Sequence, residues 1–188
     1  LCLVANWKLN GSREFNLQWT LEFLRNFNGN NFSSIGIAPA SLYIDHLKTA
    51  LADHEIKIGS QNIALEETGA CTGEISASMI KDLGCAFSIV GHSERRMLFH
   101  ETNQMIGQKL IQANNNSVIP ILCIGESAEE NKSNSTYKVL EQQIIEALEN
   151  VNKLNSLIIA YEPIWAIGSG KTPIPKEINS VHEMIKDV

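Results

Sequence analysis

Long hydrophobic runs are missing from this sequence. No apolar stretch approaches the ~20 residues that a membrane-spanning helix needs, and no basic segment precedes an apolar one in the manner of a secretory leader. Basic blocks are missing too. Fifteen Lys and Arg stand against 21 Asp and Glu, a formal net charge of −6. That balance argues against a nucleic-acid-binding face, and a phosphorylated metabolite would have to be held by local positive groups. Cysteine is scarce: Cys2, Cys71, Cys85 and Cys123 lie far apart and form no C-x-x-C pair. They read as reduced thiols of a cytosolic protein, with a disulfide framework as the second reading. Linkers and low-complexity tracts are also absent. The 188 residues, 44% of them apolar, suffice for one substantial core, so residues 1–188 are expected to form a single domain.

What is present is alternation. Short apolar runs occur at Leu1–Ala5, Ile35–Ala38, Ile56–Ile58, Phe87–Val90, Val118–Ile124 and Leu157–Ala160. They are nearly continuous in apolar residues, as strands buried on both faces should be. Amphipathic stretches separate them. Phe15, Trp19, Phe23 and Phe27 recur every fourth residue, which stacks them on one helix face, and Asn28-Gly29-Asn30-Asn31 supplies turn chemistry to end that helix. A later helix is predicted over 135–150, with Leu140, Ile144, Ala147 and Val151 on one side. A last apolar pattern, Ile178, Val181 and Ile185, is still running at Val188. Six β–α units in regular alternation mean an α/β protein with a parallel sheet and right-handed crossovers. An open doubly wound sheet and a closed (β/α)8 barrel both fit. In either, functional groups belong at the carboxyl tips of the strands.

The tips carry polar residues. Asn6-Trp7-Lys8 follows the first strand, Gly91-His92-Ser93-Glu94-Arg95-Arg96 the fourth, and Glu162 the sixth. An amide, an ammonium, an imidazole and a carboxylate suit proton transfer beside a carbonyl: a base takes the proton, a neutral donor polarises the oxygen, and a cation steadies the developing charge. Taken singly, each has a plainer reading. Glu162 is a solvated loop acid, His92 a hydrogen-bonded structural histidine, and Lys8 a surface charge. Glu94, Arg95 and Arg96 are expected to include a salt-bridged pair that holds their loop. Only convergence of the set on one rim favours chemistry.

Gly168-Ser169-Gly170-Lys171-Thr172 invites comparison with phosphate motifs. A Walker A loop needs glycine where Trp165 stands, and a dinucleotide fingerprint needs one where Pro173 stands. Both fail. What remains is a small-residue loop whose backbone N–H groups could close on an anion, or else a simple flexible connection.

Together these segments carry a resemblance. "ANWKLNG" (5–11), "TGACTGEIS" (68–76), "GHSERR" (91–96), "CIGE" (123–126) and "YEPIWAIGSGKT" (161–172) closely resemble the triosephosphate isomerase family, in that family's order and across essentially the whole chain. The resemblance implies a (β/α)8 TIM barrel and interconversion of dihydroxyacetone phosphate and glyceraldehyde 3-phosphate, a step of glycolysis and gluconeogenesis, in the cytoplasm. It implies no metal and no organic cofactor. Position by position, Glu162 matches the base, His92 a neutral electrophile, Lys8 the cation near the substrate, and Asn6 a substrate-binding amide. Gly168 lies in the loop whose backbone grips the phosphate, and Ser93 and Glu94 match residues that support the site. Pro163 and the two glycines then read as hinges of a lid. The segment from Asn62 to Gly73 matches a loop that inserts into the neighbouring subunit, which implies a homodimer. Cys71 stands where the family often has an aromatic residue, and Ile174 where a capping Thr is common, so the helix starting near Pro175 is expected to be weakly capped.

A typical barrel has about 250 residues, so about six βα units are present, and the segments that the family places after strands seven and eight fall outside the sequence. The expectation is that the natural polypeptide continues beyond Val188, and that the 188-residue chain alone is a poor isomerase. Two other readings compete: a non-catalytic barrel fragment serving folding, assembly or interaction, and another phosphate-handling barrel enzyme. The ordered set Lys8, His92 and Glu162 argues against the latter.

Overall fold

A computed structural model describes residues 2–27 and 34–188; Leu1 and the Asn28–Asn31 turn fall outside them. The strands are β1 (Cys2–Asn6), β2 (Ser34–Ala38), β3 (Ile56–Ser60), β4 (Phe87–Val90), β5 (Ile119–Ile124) and β6 (Ile158–Tyr161). The helices are α1 (Arg13–Asn26), α2 (Ile44–Ala50), α3 (Ala77–Asp82), α4 (Ser93–Phe99), α5 (Asn103–Asn115), α6 (Ala128–Lys132), α7 (Thr136–Leu148) and α8 (Pro175–Asp187). Each predicted apolar run supplies a strand, with ends displaced by at most two residues. The fold is α/β, with six βα units of the TIM-barrel type among the described residues.

The chain divides into two compact units. One comprises Leu1–Ile89 and Gln112–Pro120, the other Val90–Ile111 and Ile121–Val188. In the first, β1 pairs with β2, β2 with β3 and β3 with β4, all parallel. The order runs without reversal, whereas a doubly wound sheet would place β1 in the interior beside a later strand. This decides between the two architectures that periodicity left open. In the second unit β5 pairs with β6, again parallel, from Ile121 opposite Ile158 to Ile124 opposite Tyr161.

Each unit has its own core. Ile37, Ile44, Leu47, Ile58, Ile63 and Ile80 centre the first. Val90, Ile106, Leu110, Leu122, Leu140 and Ile144 centre the second, where Val181 of α8 joins them. The expectation of strands buried on both faces holds for β2, β4 and β5 but not for the outer two. Leu3 of β1 is 49% exposed and Ile158 of β6 is 40% exposed. Among the described residues each of these strands has one paired neighbour, so one edge and part of one face lack cover.

Helix starts follow local chemistry. Ser12 accepts from Phe15 N–H at 3.0 Å, and Ser76 caps α3. Ser127 and Glu130 form a reciprocal capping box at α6. At α8 only the return half forms: Ile174 has no acceptor, while Glu177 Oε2 accepts from Ile174 N–H at 3.2 Å. Three of the four predicted stripe residues stack directly, Trp19 on Phe23 and Phe23 on Phe27 with centroids 4.7 and 4.8 Å apart, while Trp7 bridges Phe15 to Trp19. The residues that α1 buries fully, however, are Asn16 and Thr20. Helix α7 stops at Leu148, two residues short of the predicted end, and Val151 packs on the second core from beyond it.

Candidate active site

In the second unit the site begins where β4 ends. Gly91 has φ +70°, a left-handed conformation, and a Cβ there would lie 2.7 Å from Ile106 Cδ1. Glycine is therefore required on two counts. His92 follows as the N-cap of α4, and its Nδ1 accepts from Glu94 N–H at 3.2 Å. An Nδ1 that accepts carries no proton, so this ring is the Nε2–H tautomer. Nε2 lies 3.3 Å from Glu162 Oε2. The imidazole and carboxylate keep 11% and 19% of their side-chain surface in contact with solvent, which leaves both shielded but reachable.

Glu162 arrives from β6. Its N–H donates to Ile124 O at 2.9 Å, continuing the ladder one residue past the strand. The carboxylate accepts from Ser93 Oγ at 3.1 Å and from Ser93 N–H at 3.4 Å. The Cys123 thiol is buried near the end of β5. Burial, reinforced by the Glu162 charge, pushes this thiol well above its ordinary range. At Gly125 a Cβ would stand 1.9 Å from Glu162 O, so the glycine of "CIGE" lets the two backbones meet. Gln143 of α7 holds Gly125 by both peptide groups, donating to its O and accepting from its N–H at 2.9 Å.

The loop after Glu162 has a tethered half and an open half. Pro163 leads into a 3-10 turn at Ile164–Ala166. Trp165 Nε1 donates to Glu126 Oε1 at 2.7 Å, and Tyr161 Oη and Asn131 Nδ2 donate to the same oxygen at 3.1 and 3.2 Å. Glu126 is wholly buried, and its Oε2 has no hydrogen-bond partner among the described residues. Burial, with the Glu126 charge, raises the Tyr161 phenol above its ordinary value. Further on, Gly168 and Gly170 take φ of +67° and +72°, and a Cβ on either would meet nothing within 4 Å.

In the first unit, Asn6 and Lys8 share a turn after β1. Asn6 Oδ1 accepts from Lys8 N–H at 3.0 Å. Lys8 has φ +52°, uncommon for a residue with a side chain. Gln61 reaches across and donates to Lys8 O and to Ala38 O, both at 2.9 Å. These bonds hold the strained turn.

The structure thus brings His92, Ser93, Glu94 and Glu162 together, sets Asn6 beside Lys8, and leaves Gly168 on the open half of its loop. Of the three residues expected to include a salt-bridged pair, Arg95 pairs with the buried Glu101, which Lys109 also reaches at 2.5 Å. Glu94 Oε2 lies 3.5 Å from His92 Nδ1. Sequence reasoning missed Gln61, Gln143 and the hub role of Glu126. Only Glu126 had a signal, as the acid closing "CIGE". Among the described residues, no three or more His, Cys, Asp or Glu are placed to hold a metal ion. None of the described helices is long and apolar enough to cross a membrane.

The family model described as triosephosphate isomerase matches residues 1–188. A protein of Nitrosococcus oceani named triosephosphate isomerase is 41% identical over 98% of this chain and 74% of its own length. Relatives of the same name from Blochmanniella floridana and Histophilus somni are 42% and 39% identical, over 100% and 98% of this chain and 74% and 73% of their own lengths. With matches of this extent, the chain belongs to the triosephosphate isomerase family.

Proposed function

We propose that this protein interconverts dihydroxyacetone phosphate and D-glyceraldehyde 3-phosphate by proton transfer through an enediolate, using neither metal nor organic cofactor. The observation that carries the reading is the pair His92 Nε2 and Glu162 Oε2, 3.3 Å apart, with the other imidazole nitrogen engaged by Glu94 N–H. An imidazole in that tautomer offers a neutral N–H to a carbonyl oxygen. The adjacent carboxylate takes the proton from the neighbouring carbon and returns it one carbon away. Glu162 rests on Ser93, so it must leave that contact to reach a substrate carbon. Lys8 is the proposed cation and Asn6 the amide for substrate. Gly168 offers its backbone N–H to the phosphate as the loop closes, and closure keeps water from the enediolate. The setting is glycolysis and gluconeogenesis in the cytoplasm.

The test is Glu162→Gln, which keeps the size and removes the charge. Turnover should fall by ~10²–10⁴-fold, the contribution of a general base. Near-normal turnover in a correctly folded variant would sink the assignment.

The proposed partner is a second copy of the chain, held through the loop from Asn62 to Gly73. Its base is closed by Ala64 N–H donating to Ile75 O at 2.8 Å, and residues 68–74 are exposed. Thr72→Arg should shift the protein from dimer to monomer at micromolar concentration in sedimentation velocity. A variant that stays dimeric would move the interface elsewhere.

A further inference from the structure

Arg96 sits one helical turn after His92, half-buried on α4, and takes part in none of the steps above. Its guanidinium points inward and donates three times. Nε donates to Gly91 O at 2.8 Å, Nη2 to Cys123 O at 3.1 Å, and Nη1 to Asn103 Oδ1 at 2.5 Å. Asn103 in turn donates to Glu146 Oε2 of α7 at 2.8 Å. All three acceptors on Arg96 are neutral, and among the described residues it forms no ion pair. This is an expensive arrangement. A desolvated cation with only neutral acceptors is costly to hold unless its geometry serves something else. Burial does lower its pKa, opposed by the nearby Cys123, Glu101 and Glu162.

The two carbonyls it grips are informative. Gly91 O belongs to the residue that delivers His92 to the tip of β4. Cys123 O belongs to the residue just before Ile124, whose O accepts from Glu162 N–H at 2.9 Å. A single rigid fork therefore ties the backbone behind the imidazole to the stretch of β5 that holds the Glu162 backbone. Gly91 itself is left-handed, a conformation that glycine adopts without strain. Arg96 Nη2 would lie 3.3 Å from a Cβ at that position, so the guanidinium packs against Gly91 as well as bonding to it.

We propose that Arg96 is a positioning residue for the isomerisation: by bridging Gly91 O, Cys123 O and Asn103, it sets the separation and alignment of His92 Nε2 relative to Glu162. The proposal rests on the reading of His92 and Glu162 given above. Lysine cannot replace it. An ammonium keeps the charge but is a point donor on a flexible stem and cannot span three acceptors in one plane.

The experiment uses Arg96→Lys and Arg96→Gln, with His92 and Glu162 unchanged. Two quantities are measured: kcat and KM on triose phosphate, and the ¹⁵N resonances of the His92 ring. Both variants should lose ~10–100-fold in kcat, the scale of an ångström-sized misplacement, while KM changes by less than ~3-fold. The Nδ1 resonance should move as its bond from Glu94 N–H loosens. A role confined to stability would lower the melting temperature and leave the kcat of the folded fraction and the ring resonances alone; that result overturns the proposal. So does a rise in KM with kcat intact, which would make Arg96 a substrate contact. If Arg96→Gln does not fold, Arg96→Lys decides by the same criteria. If the unsubstituted protein shows no turnover, the isomerase reading fails, and the His92 resonances of the two variants then decide for Arg96 by themselves.

Discussion

The loops that follow β4 and β6 begin alike, each with one ionisable group delivered past a strand tip, and then diverge. After β4 the chain is tied at every step. Gly91 is held by Arg96, His92 caps α4 with its own ring, and His92 O accepts from both Arg95 and Arg96 N–H at 2.8 and 3.2 Å. After β6 the ties to other elements end at Trp165, and the hydrogen bonds from there to Lys171 are local turns of the loop itself. Trp165 is fastened to Glu126, and beyond it Ile167 is 44% exposed and the two glycines touch nothing at the Cβ position. Within one unit, then, an imidazole is held by buried bonds while the segment after Trp165 keeps few contacts with the rest of the protein. The imidazole is positioned by buried, mutually supporting bonds. The loop is hinged by one buried carboxylate and then left with few contacts.

Four changes would break or sharpen this contrast. The largest effect on stability is expected from Gly91→Ala. The left-handed φ strains any side chain, and the new Cβ meets Ile106 Cδ1 at 2.7 Å. The expected loss is about 2–4 kcal/mol by urea denaturation. A loss under 0.5 kcal/mol would show that the β4 loop is not the rigid one.

Next comes Trp165→Phe, which removes one of three donors to Glu126 Oε1 inside the protein. A buried carboxylate that loses a partner costs about 1–3 kcal/mol. The same substitution should raise the exchange rate of the 166–170 amides, measured by hydrogen exchange. Unchanged exchange would mean that the tether is not this bond.

A smaller effect is expected from pH. The folded state raises the Cys123 thiol above its ordinary 9.0, through burial first and then Glu162. The unfolded chain releases that proton above about pH 9 and the folded chain does not, so the contribution is full below pH 9 and is lost as pH rises beyond it. The slope is at most ~1.4 kcal/mol per pH unit for one group. Cys85, pushed up to about 11 by burial, and Tyr161 act with the same sign. The contrast is therefore read as the difference between the unsubstituted protein and Cys123→Ala at pH 8 and pH 10. The variant should lose less stability over that interval. An equal loss would show that the folded state does not raise this thiol.

The smallest effect should come from Gly168→Ala. It carries the same left-handed strain as Gly91, φ +67°, but into open space. About 1 kcal/mol is expected. A cost equal to that of Gly91→Ala would erase the distinction between the two loops.

Much of the fold and of the candidate site could be read from residues near one another in the chain. Apolar runs located all six strands, and the missing cap at Ile174 was visible from its side chain alone. These signals act within about four residues, through propensity and capping, so the local sequence contains them. The motifs likewise named His92 and Glu162 as a pair to look for. What the sequence could not contain is where donors find acceptors far along the chain. Ser93 meets Glu162 across 69 residues, Gln61 meets Lys8 across 53, Trp165 meets Glu126 across 39, and Arg96 meets Cys123 across 27. The unreversed order of β1 to β4 belongs to the same class. By itself the sequence determined which chemistry is available and which segments become strands and helices, because those depend on residue type and spacing. The tertiary structure alone decided which arginine ion-pairs and which grips carbonyls, which tautomer His92 adopts, and which half of the β6 loop is tethered. Those depend on distances and directions that exist only once the backbone has folded.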